Sequence, residues 1–366
     1  MLLFLIWELF YIFVWLFWLL EVNVKIKYFI NIIFFKKLLT FDFDFYYNER
    51  VWGRRNMANE ENIEVVVTGT MSSGKSTLLN SLIGYDLLPY ENMACTAKII
   101  KIIDDDKQKH FSYLDGRKIN YGIIKEMNKN PDIKEITIRG NIKGINNYKK
   151  KICFIDTPGT NNSLDVNHEL ITKEILKNYK EIVMFIINAC NIGTEDEKKL
   201  LTYIAENKMN NRKFIFILNR ADAINRKKES IKNIVDNVKS YVESFGILNP
   251  IIIPISADAA KLFKMVFNNH KLSEDQEIDF SHYYKYFKND EYNLEKFSIC
   301  NKNYFYTNSV KKGKSFFEKL QFIMKMNKKI IIEGNKYVIK DIYKRLQNTG
   351  IFLIEDIFDK LVQEAI

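Results

Sequence analysis

Cysteine and histidine are scarce in this chain, with four of each among 366 residues. The cysteines lie far apart in the sequence and show no paired spacing, which argues against a disulfide framework. Two of the four lie in apolar runs, so we predict reduced, mostly buried thiols and a cytoplasmic setting. The histidines show no spacing typical of a metal site, and we expect them to be solvated or packed imidazoles.

The sequence also has no concentrated block of basic residues, although its formal net charge is +10. Lysines are spread among asparagine and isoleucine, so the charge permits a nucleic-acid or anionic membrane surface without indicating one. The lysine and tyrosine residues within His282–Phe287 could stack on nucleic-acid bases, but we favour packing of their rings on the protein core. We therefore do not expect a nucleic-acid partner.

Residues 1–56 are a hydrophobic N-terminal extension with two competing interpretations. The first is a transmembrane anchor, because Met1–Leu20 is apolar apart from Glu8 and is about long enough to span a bilayer. Lysines follow this stretch, which would leave the rest of the chain in the cytoplasm, with membrane association. A basic start and a small-residue cleavage site are both lacking, which argues against a secretory signal.

The second interpretation is that translation begins at Met57 and that residues 1–56 are an over-extended reading frame. Glu8 would lie unpaired inside the membrane, and residues 22–52 are rich in aromatics without helical or strand periodicity. Purine-rich codons for Arg54 and Arg55 would form a ribosome-binding sequence just ahead of Met57. A peptide from residues 1–50 in the native protein would rule this interpretation out.

The stretch Ile63–Gly84 is the most informative part of the chain. Three consecutive valines predict a buried strand, a glycine-flanked loop follows, and periodic leucines predict a helix. This order is typical of a phosphate-binding loop, in which backbone N–H groups and a helix N-terminus bind phosphate. Lys75 can reach the β- and γ-phosphates, and the Ser76 hydroxyl can ligate Mg²⁺. The predicted nucleotide-binding residues here are Gly69, Ser73, Gly74, Lys75, Ser76 and Thr77.

Two later segments supply candidates for binding the metal and the γ-phosphate. Thr96 precedes a predicted strand, Lys98–Ile103, and lies where a switch loop would place a Mg²⁺-binding threonine. The alternative is a threonine that merely opens the strand. Asp156 ends an apolar strand and begins the sequence Asp-Thr-Pro-Gly. Its carboxylate can hold a Mg²⁺-bound water, and the Gly159 N–H can sense the γ-phosphate.

A fourth segment predicts recognition of guanine. The apolar run Lys213–Leu218 predicts a strand that ends in the sequence Asn-Arg-Ala-Asp. Asp222 can accept two hydrogen bonds, from N1–H and from the 2-amino group of guanine, and adenine cannot reproduce this pairing. Asn219 can tie the loop to the base and to the phosphate loop. The stem and guanidinium of Arg220 can cover the face of the base.

Further apolar runs complete the predicted sheet. Ser256 and Ala257 follow the last of its strands, and we expect their backbone N–H groups to meet the guanine O6. Helices are predicted from about Thr194 and over Lys227–Phe245. The remaining predicted strands are Phe111–Ile119, Ile133–Ile142, Glu181–Ala189 and Pro250–Ile255.

Residues 62–257 resemble the GTPase domain of dynamin-like proteins, particularly bacterial ones. The phosphate loop with its helix, the sequence PGTNN at Pro158–Asn162 and the sequence NAC at Asn188–Cys190 carry this resemblance. It implies an α/β P-loop GTPase fold, with a mostly parallel sheet and helices on both faces, that binds GTP or GDP with Mg²⁺. It also implies slow hydrolysis accelerated by self-association through the GTPase domain, and often membrane contact.

Two positions depart from the family pattern. Dynamins commonly carry glutamine at the third loop position to organise the attacking water, and Met71 stands there. Thr160 stands where a Ras-like glutamine would follow the Asp-Thr-Pro-Gly motif, so no side chain is an obvious water-positioner. Ser72 matches a dynamin serine that helps to hold a monovalent cation, so K⁺ or Na⁺ could supply positive charge near the β–γ bridge. We assign catalytic roles to Lys75, Ser72, Thr96 and Gly159.

We divide the chain into the extension 1–56 and a GTPase domain 57–366. A polar, aromatic-rich segment at about 258–346 is predicted to be an insertion before the last helix, which has Ile354 and Phe358 on its apolar face. The long helical stalk of dynamins is not found, so we expect either a stand-alone GTPase domain or part of a longer protein. The alternative function is a nucleotide-dependent binding switch, for example on the ribosome or RNA, with negligible hydrolysis.

Overall fold

The computed structural model describes residues 62–89, 98–130, 132–147, 150–158, 166–178, 182–207, 213–300 and 324–364. All of these belong to one structural unit, Glu61–Ile366. The predicted roles of Thr96 and Gly159 and both interpretations of residues 1–56 concern residues outside these ranges.

A mixed sheet of eight strands forms the centre of the described structure, in the order β3-β4-β2-β5-β1-β6-β7-β8. Five neighbours, from β5 to β8, run parallel, whereas β2 is antiparallel to β5 and parallel to β4, and the short β3 is antiparallel to β4. The prediction of a mostly parallel sheet is therefore confirmed. The strands are β1 (Ile63–Thr68), β2 (Ile99–Asp104), β3 (Ser112–Tyr113), β4 (Glu135–Gly140), β5 (Ile152–Asp156), β6 (Ile182–Asn188), β7 (Lys213–Asn219) and β8 (Ile251–Ile255).

Helices connect the strands, and several begin at the polar residue that the sequence offers. Thr194 and Ser230 accept a hydrogen bond from the third residue of the helices that they precede. The first of these N-caps confirms the predicted start near Thr194, whereas the second begins its helix four residues after the predicted start at Lys227. The helices are α1 (Lys75–Ile83), α2 (Tyr121–Lys129), α3 (Val166–Asn178), α4 (Glu195–Glu206), α5 (Ile231–Ser244), α6 (Ala257–Phe267), α7 (Glu274–Tyr286), α8 (Ile339–Asn348) and α9 (Ile351–Glu364).

The central strands are buried on consecutive residues rather than on alternate ones. In β6, every residue from Ile182 to Ile187 is buried, and β7 is buried from Ile215 to Asn219. Because successive side chains of a strand point to opposite faces, both faces of the sheet must be covered. Because both faces are buried, these strands consist almost entirely of isoleucine, valine, phenylalanine and leucine, and such runs are readily predicted as strands.

One predicted strand is mostly a turn. Of Phe111–Ile119, only Ser112–Tyr113 forms a strand, and Lys118 returns to make a single bridge with Ser112. Asp115 accepts a hydrogen bond from the backbone N–H of Arg117 and so folds the segment back on itself. The predicted extended segment was wrong because local turn chemistry outweighed the apolar ends.

The segment after β8 begins as part of the core. Helix α6 packs against α1, and its residues from Ala259 to Val266 are buried. The ring of Phe263, on α6, packs edge to face against the rings of Phe280 and Phe287. The centroid distances are 5.5 Å to Phe280 and 6.3 Å to Phe287. The polar excursion thus starts beyond α6 rather than at residue 258, and its aromatic rings pack on the core. The division into a domain with an insertion stays a prediction.

The last two helices are attached to the end of β8. The Ser256 N–H donates to the Thr349 carbonyl over 3.1 Å. Gly350 has a φ of +85°, and a Cβ there would lie 2.5 Å from the Pro254 carbonyl oxygen. Only glycine allows both this backbone conformation and this close approach. A two-stranded ribbon, β9 (Lys329–Ile332) with β10 (Asn335–Val338), precedes α8.

Across the described ranges of the chain, no helix combines the length and apolar character that crossing a bilayer requires. The stretch Met1–Leu20 falls outside those ranges.

Candidate functional site

The predicted phosphate loop joins β1 to α1 in the described structure. Gly74 stands before the first residue of α1 with a φ of +96°, and a Cβ there would come within 2.1 Å of the Asn219 amide nitrogen. Glycine is therefore required at the point where this loop meets the end of β7. Ser72 is an exposed non-glycine residue with a φ of +59° at the tip of the loop, and Met71 beside it is partly buried. Ser76 and Thr77 are partly buried in the first turn of α1.

Lys75 lies inside this loop. Its side chain is 8% exposed, and its Nζ donates to the carbonyl oxygens of Gly69 and Thr70, each over 3.1 Å. Burial lowers the pKa of Lys75, and the nearby charge of Asp156 opposes this shift. The ammonium group is thus held between the loop backbone and the carboxylate that ends β5.

Asp156 provides the carboxylate expected of a metal site. It is 8% exposed, and its Oδ1 has no hydrogen-bond partner among the described residues. Burial raises the pKa of Asp156 to about 6, and Lys75 acts in the opposite direction. The next residue, Thr157, donates both its N–H and its hydroxyl to the Val67 carbonyl, which fixes the end of β5 against β1.

These groups fit the requirements of Mg²⁺. The ion prefers oxygen ligands and usually takes one or two from the protein and the rest from phosphates and water. A partner-less buried carboxylate oxygen on Asp156 and the hydroxyl of Ser76 match that set. Within the described ranges there is no group of three or more His, Cys, Asp or Glu side chains suited to a metal, so a metal cage built only from such side chains is not found there.

Asn219 connects the phosphate loop to the segment after β8. Its Nδ2 donates to the Ser73 carbonyl over 3.0 Å, and its Oδ1 accepts from the Ala257 N–H over 3.2 Å. The residue is 2% exposed, so water cannot replace either partner. One side-chain amide therefore brings three of the predicted segments to one edge of the sheet.

Asp222 and Arg220 lie in the turn after β7. Arg220 is exposed with a φ of +61°, and a short 3₁₀ turn, Ala221–Ala223, carries Asp222. The Asp222 carboxylate accepts a hydrogen bond from the Ser256 side chain. Burial raises the pKa of Asp222, the bond from Ser256 lowers it, Asp258 raises it and His282 lowers it.

One expected role is corrected by the structure. We predicted that the backbone N–H groups of Ser256 and Ala257 meet the guanine O6, but both have partners within the protein, Thr349 and Asn219 respectively. The prediction was wrong because it treated this pair as a free loop. In the fold, Ser256 is bonded to Thr349 between the last two helices, and its hydroxyl faces Asp222 instead.

Sequence reasoning missed the side chains that surround Asp222: Asp258, His282 and Tyr283 interact with it electrostatically, and Lys261 pairs with Asp258. Lys261 of α6 is 5% exposed, and its Nζ lies 2.9 Å from Asp258 Oδ1 and 3.3 Å from Asp86 Oδ1. The hydroxyl of Tyr283, on α7, donates to Asp258 Oδ2 over 3.4 Å. The spacing of Asp258 and Lys261, three apart on a helix, was readable in the sequence, whereas the approach of Asp86 and Tyr283 depends on the tertiary fold.

The predicted segments that the structure describes therefore meet at the carboxyl edge of the parallel strands. The phosphate loop follows β1, Asp156 ends β5, Asn219 ends β7, and Ser256 follows β8. Ligands of open α/β sheets bind at this edge, where successive loops converge. The arrangement can hold a phosphorylated nucleotide, with phosphate at the loop and a base beside Asp222.

Comparison with known proteins agrees with this geometry. Residues 65–221 match the model of the dynamin family. The chain is 24% identical over 249 residues to dynamin-like protein 1 of Campylobacter jejuni, covering 53% of this chain and 34% of that protein. It is 29% identical over 195 residues to GTPase Era of Borreliella burgdorferi, covering 52% of this chain and 50% of that protein.

Among solved structures, the chain is similar to a member of an oligomerised bacterial dynamin pair described as sensing and tethering membranes, with a TM-score of 0.40 and 20% identity over 65% of this chain and 51% of that one. The chain spans half or less of the length of the curated relatives named above.

Proposed function

We propose that this chain carries a dynamin-like domain of the P-loop GTPase fold and that it hydrolyses GTP to GDP slowly with Mg²⁺, faster when copies of the domain associate. The match to the dynamin family and the similarity to a protein named GTPase Era support GTP hydrolysis itself. The metal, the rate and its dependence on self-association are our proposal.

The observation that carries this proposal is the position of the Asn219 amide. It hydrogen-bonds the phosphate loop at Ser73 and the segment after β8 at Ala257, beside the turn that carries Asp222. A base recognised by Asp222 would therefore lie next to the loop that binds its phosphates. Asp222 would accept hydrogen bonds from guanine N1–H and the 2-amino group, and the exposed Arg220 would cover the ring.

The phosphate end would depend on Lys75, on the loop backbone and on the residues that fit a metal. The N–H groups of the loop from Gly69 to Thr77 would surround the phosphates, and Lys75 would contact their β- and γ-oxygens. Asp156 and Ser76 would hold Mg²⁺, with Thr96 as the third predicted ligand. When bound, Mg²⁺ neutralises negative charge on the β- and γ-phosphates.

A monovalent cation is proposed to compensate for the missing glutamine at position 71. Ser72, exposed at the tip of the loop, would help to hold K⁺ or Na⁺ near the β–γ bridge, and Gly159 would contact the γ-phosphate. Because a second copy of the domain would complete and shield such a site, turnover should rise with protein concentration.

The test is GTP turnover by the full chain and by residues 57–366 over a range of protein concentrations, with K⁺ or with a large organic cation in its place. We expect low basal turnover that rises with both variables. Lys75→Ala should abolish nucleotide binding, because the loop loses its cation. Turnover that is independent of concentration and of K⁺ would contradict the proposed stimulation but not GTP hydrolysis.

The contrasting function is a nucleotide-dependent binding switch with negligible hydrolysis. It predicts GTP-dependent, salt-sensitive retention of RNA by the chain and no gain in turnover at high concentration. Membrane contact is tested in the same series by co-sedimentation with anionic vesicles, for which the anchor at residues 1–20 and the domain 57–366 are assayed separately.

A further inference from the structure

The Asp222 carboxylate lies among several charged and titratable groups. Burial raises its pKa, the Ser256 hydroxyl lowers it, Asp258 of α6 raises it, and His282 of α7 lowers it. Tyr283 and Tyr286, also on α7, interact electrostatically with Asp222, and Arg226, in the loop before α5, donates to the Tyr286 hydroxyl over 3.1 Å. Burial is the largest of these influences, and Asp258 is the anionic neighbour in this set whose charge adds to it by opposing the ionisation of Asp222.

Lys261 is the cation that faces Asp258. The two residues are one turn apart on α6, with Nζ 2.9 Å from Asp258 Oδ1, and the same Nζ lies 3.3 Å from Asp86 Oδ1. Asp86 in turn accepts a hydrogen bond from Gln276 Nε2 of α7 over 2.6 Å. The lysine side chain is 6% exposed, whereas that of Asp258 is 40% exposed. A buried lysine is thus held beside the carboxylate that repels the charge of Asp222.

We propose that Lys261 is a positioning residue for guanine, which neutralises Asp258 beside Asp222 so that the Asp222 carboxylate stays an acceptor for N1–H and the 2-amino group. The inference rests on the proposed binding of GTP at Asp222. Lys261 acts through Asp258 and does not itself contact the base.

The proposal makes a chemical distinction between bases. An ionised Asp222 only accepts hydrogen bonds and suits guanine, whose N1–H and 2-amino group both donate. A protonated Asp222 carries one O–H donor, and this suits xanthine, which has a carbonyl in place of the 2-amino group. Loss of Lys261 should therefore weaken the preference for guanine over xanthine, and it should do so at mildly acidic pH.

The experiment measures the affinities of the full chain for GDP, XDP and ADP between pH 5.5 and 8, for the wild type and for Lys261→Met. Methionine keeps the length of the stem and removes the charge. We expect GDP binding by Lys261→Met to begin to weaken at a higher pH than that of the wild type, with the two pH profiles separated by one pH unit for each unit by which the pKa of Asp222 rises, and near-equal binding at pH 8. Each affinity of the variant is divided by that of the wild type at the same pH. This ratio cancels the effect of ionisation of the nucleotides, which is common to both proteins.

Two further variants separate electrostatics from structure. Asp258→Asn in the Lys261→Met background should restore the wild-type pH profile, because Asp258 is the one of the two carboxylates paired with Lys261 that acts on Asp222. Lys264→Met is the matched control, since Lys264 is also a buried lysine of α6 and pairs with Glu355 on α9, away from Asp222. It should lower the stability of the fold without moving the pH profile of GDP binding.

The outcomes distinguish this inference from the proposed function. Equal weakening by Lys261→Met at every pH, with no restoration by Asp258→Asn, would overturn the role of Lys261. Should Lys261→Met fail to fold, Asp258→Asn alone decides, since it should extend tight GDP binding to lower pH, and an unchanged profile would overturn the inference. A wild type that does not prefer GDP to ADP would instead refute guanine recognition itself.

Discussion

Single polar side chains with partners on other elements of the fold hold the candidate site together. Asn219 joins two loops through one amide, and Thr157 closes β5 on β1 through its N–H and its hydroxyl. Such groups are buried, so water cannot take the place of a lost partner. Substitutions at these positions should therefore affect stability and ligand binding together.

Asn219→Ala tests this expectation. It removes both hydrogen bonds and leaves the Ser73 carbonyl and the Ala257 N–H without a protein partner, at about 1 to 3 kcal/mol each. We expect the free energy of unfolding in urea to fall by roughly 2 to 6 kcal/mol, and GDP affinity to fall with it. Asn188→Ala is the control, because Asn188 pairs with Asn219 across β6 and β7 and is only partly buried. Equal losses for the two variants would contradict the bridging role.

A second prediction at this scale concerns pH and lies away from the nucleotide. Asp104 ends β2 with no exposed surface and accepts hydrogen bonds from the Ile142 N–H over 2.7 Å and from Asn147 Nδ2 over 2.9 Å. Burial raises the pKa of Asp104 to about 7, opposed by these two bonds. Because the pKa in the folded state exceeds the ordinary value, the stabilisation present below about pH 4 is lost as the pH rises through 7.

Asp104→Asn keeps an acceptor for Ile142 and cannot ionise. We expect the stability of the variant relative to the wild type to rise between about pH 5 and pH 8, by roughly 2 to 4 kcal/mol, as measured by urea unfolding at each pH. Asp106→Asn, at an exposed position two residues later, should change the pH dependence far less, because the charge of Asp106 raises the pKa of Asp104 less than burial does. A constant difference for Asp104→Asn across this range would contradict the prediction.

At the scale of secondary-structure elements, the attachment of the last helices to β8 places the strictest steric requirement on the sequence. Gly350 lies against the Pro254 carbonyl, and Ser256 donates to Thr349. Lys264 of α6 pairs with Glu355 of α9 and donates to the Leu82 carbonyl of α1 over 3.2 Å. Three helices and the end of one strand are thus fixed to each other.

Gly350→Ala should lower the stability of the protein by more than the backbone strain of a positive φ alone would. A residue with a side chain loses about 1 to 2 kcal/mol in this left-handed conformation, and here its Cβ would also lie 2.5 Å from the Pro254 oxygen. Gly334→Ala is the matched control, because Gly334 also has a positive φ, +72°, and a Cβ there would have no atom within 4 Å. The melting temperature of Gly350→Ala should fall further below that of the wild type than the melting temperature of Gly334→Ala does. The difference between the two shifts measures the cost of the contact with Pro254, and equal shifts would show that this contact has no cost.

The sequence allowed the sheet and the loop segments to be predicted because their signals are local. Three valines before the phosphate loop, and the continuous apolar runs of β6 and β7, reflect burial on both faces. The core position of α6 could not be seen, because Asp258, Lys261 and Lys264 look like surface residues until their partners on other elements are known. The engaged N–H of Ser256 was missed for the same reason, since its partner Thr349 is distant in sequence.

At the scale of the whole molecule, ligand binding should stabilise the entire sheet. Cys153 in β5 is 5% exposed, and burial raises the pKa of its thiol to about 12, whereas Cys190 is exposed. A thiol reagent should therefore label Cys190 in the native protein and Cys153 only when the sheet opens.

GDP with Mg²⁺ at about one hundred times its dissociation constant should slow the labelling of Cys153 by about a hundredfold, since the ligand binds only the folded state. Mass spectrometry after timed labelling gives the rate for each cysteine, and Cys190 reports the activity of the reagent. Unchanged labelling of Cys153 in saturating nucleotide would show that β5 opens without release of the ligand.

The close contact between Gly350 and the Pro254 carbonyl also affects how the protein would respond to a pulling force. Helix α9 is held to the backbone of β8, and β8 lies at the border of the sheet beside β7, the strand that carries Asn219. A pulling force applied along α9 would be transmitted directly to β8, because Gly350, which lies against β8, immediately precedes the first residue of α9. Force on this helix would therefore act first on the border strand next to Asn219 and only later on the centre of the sheet.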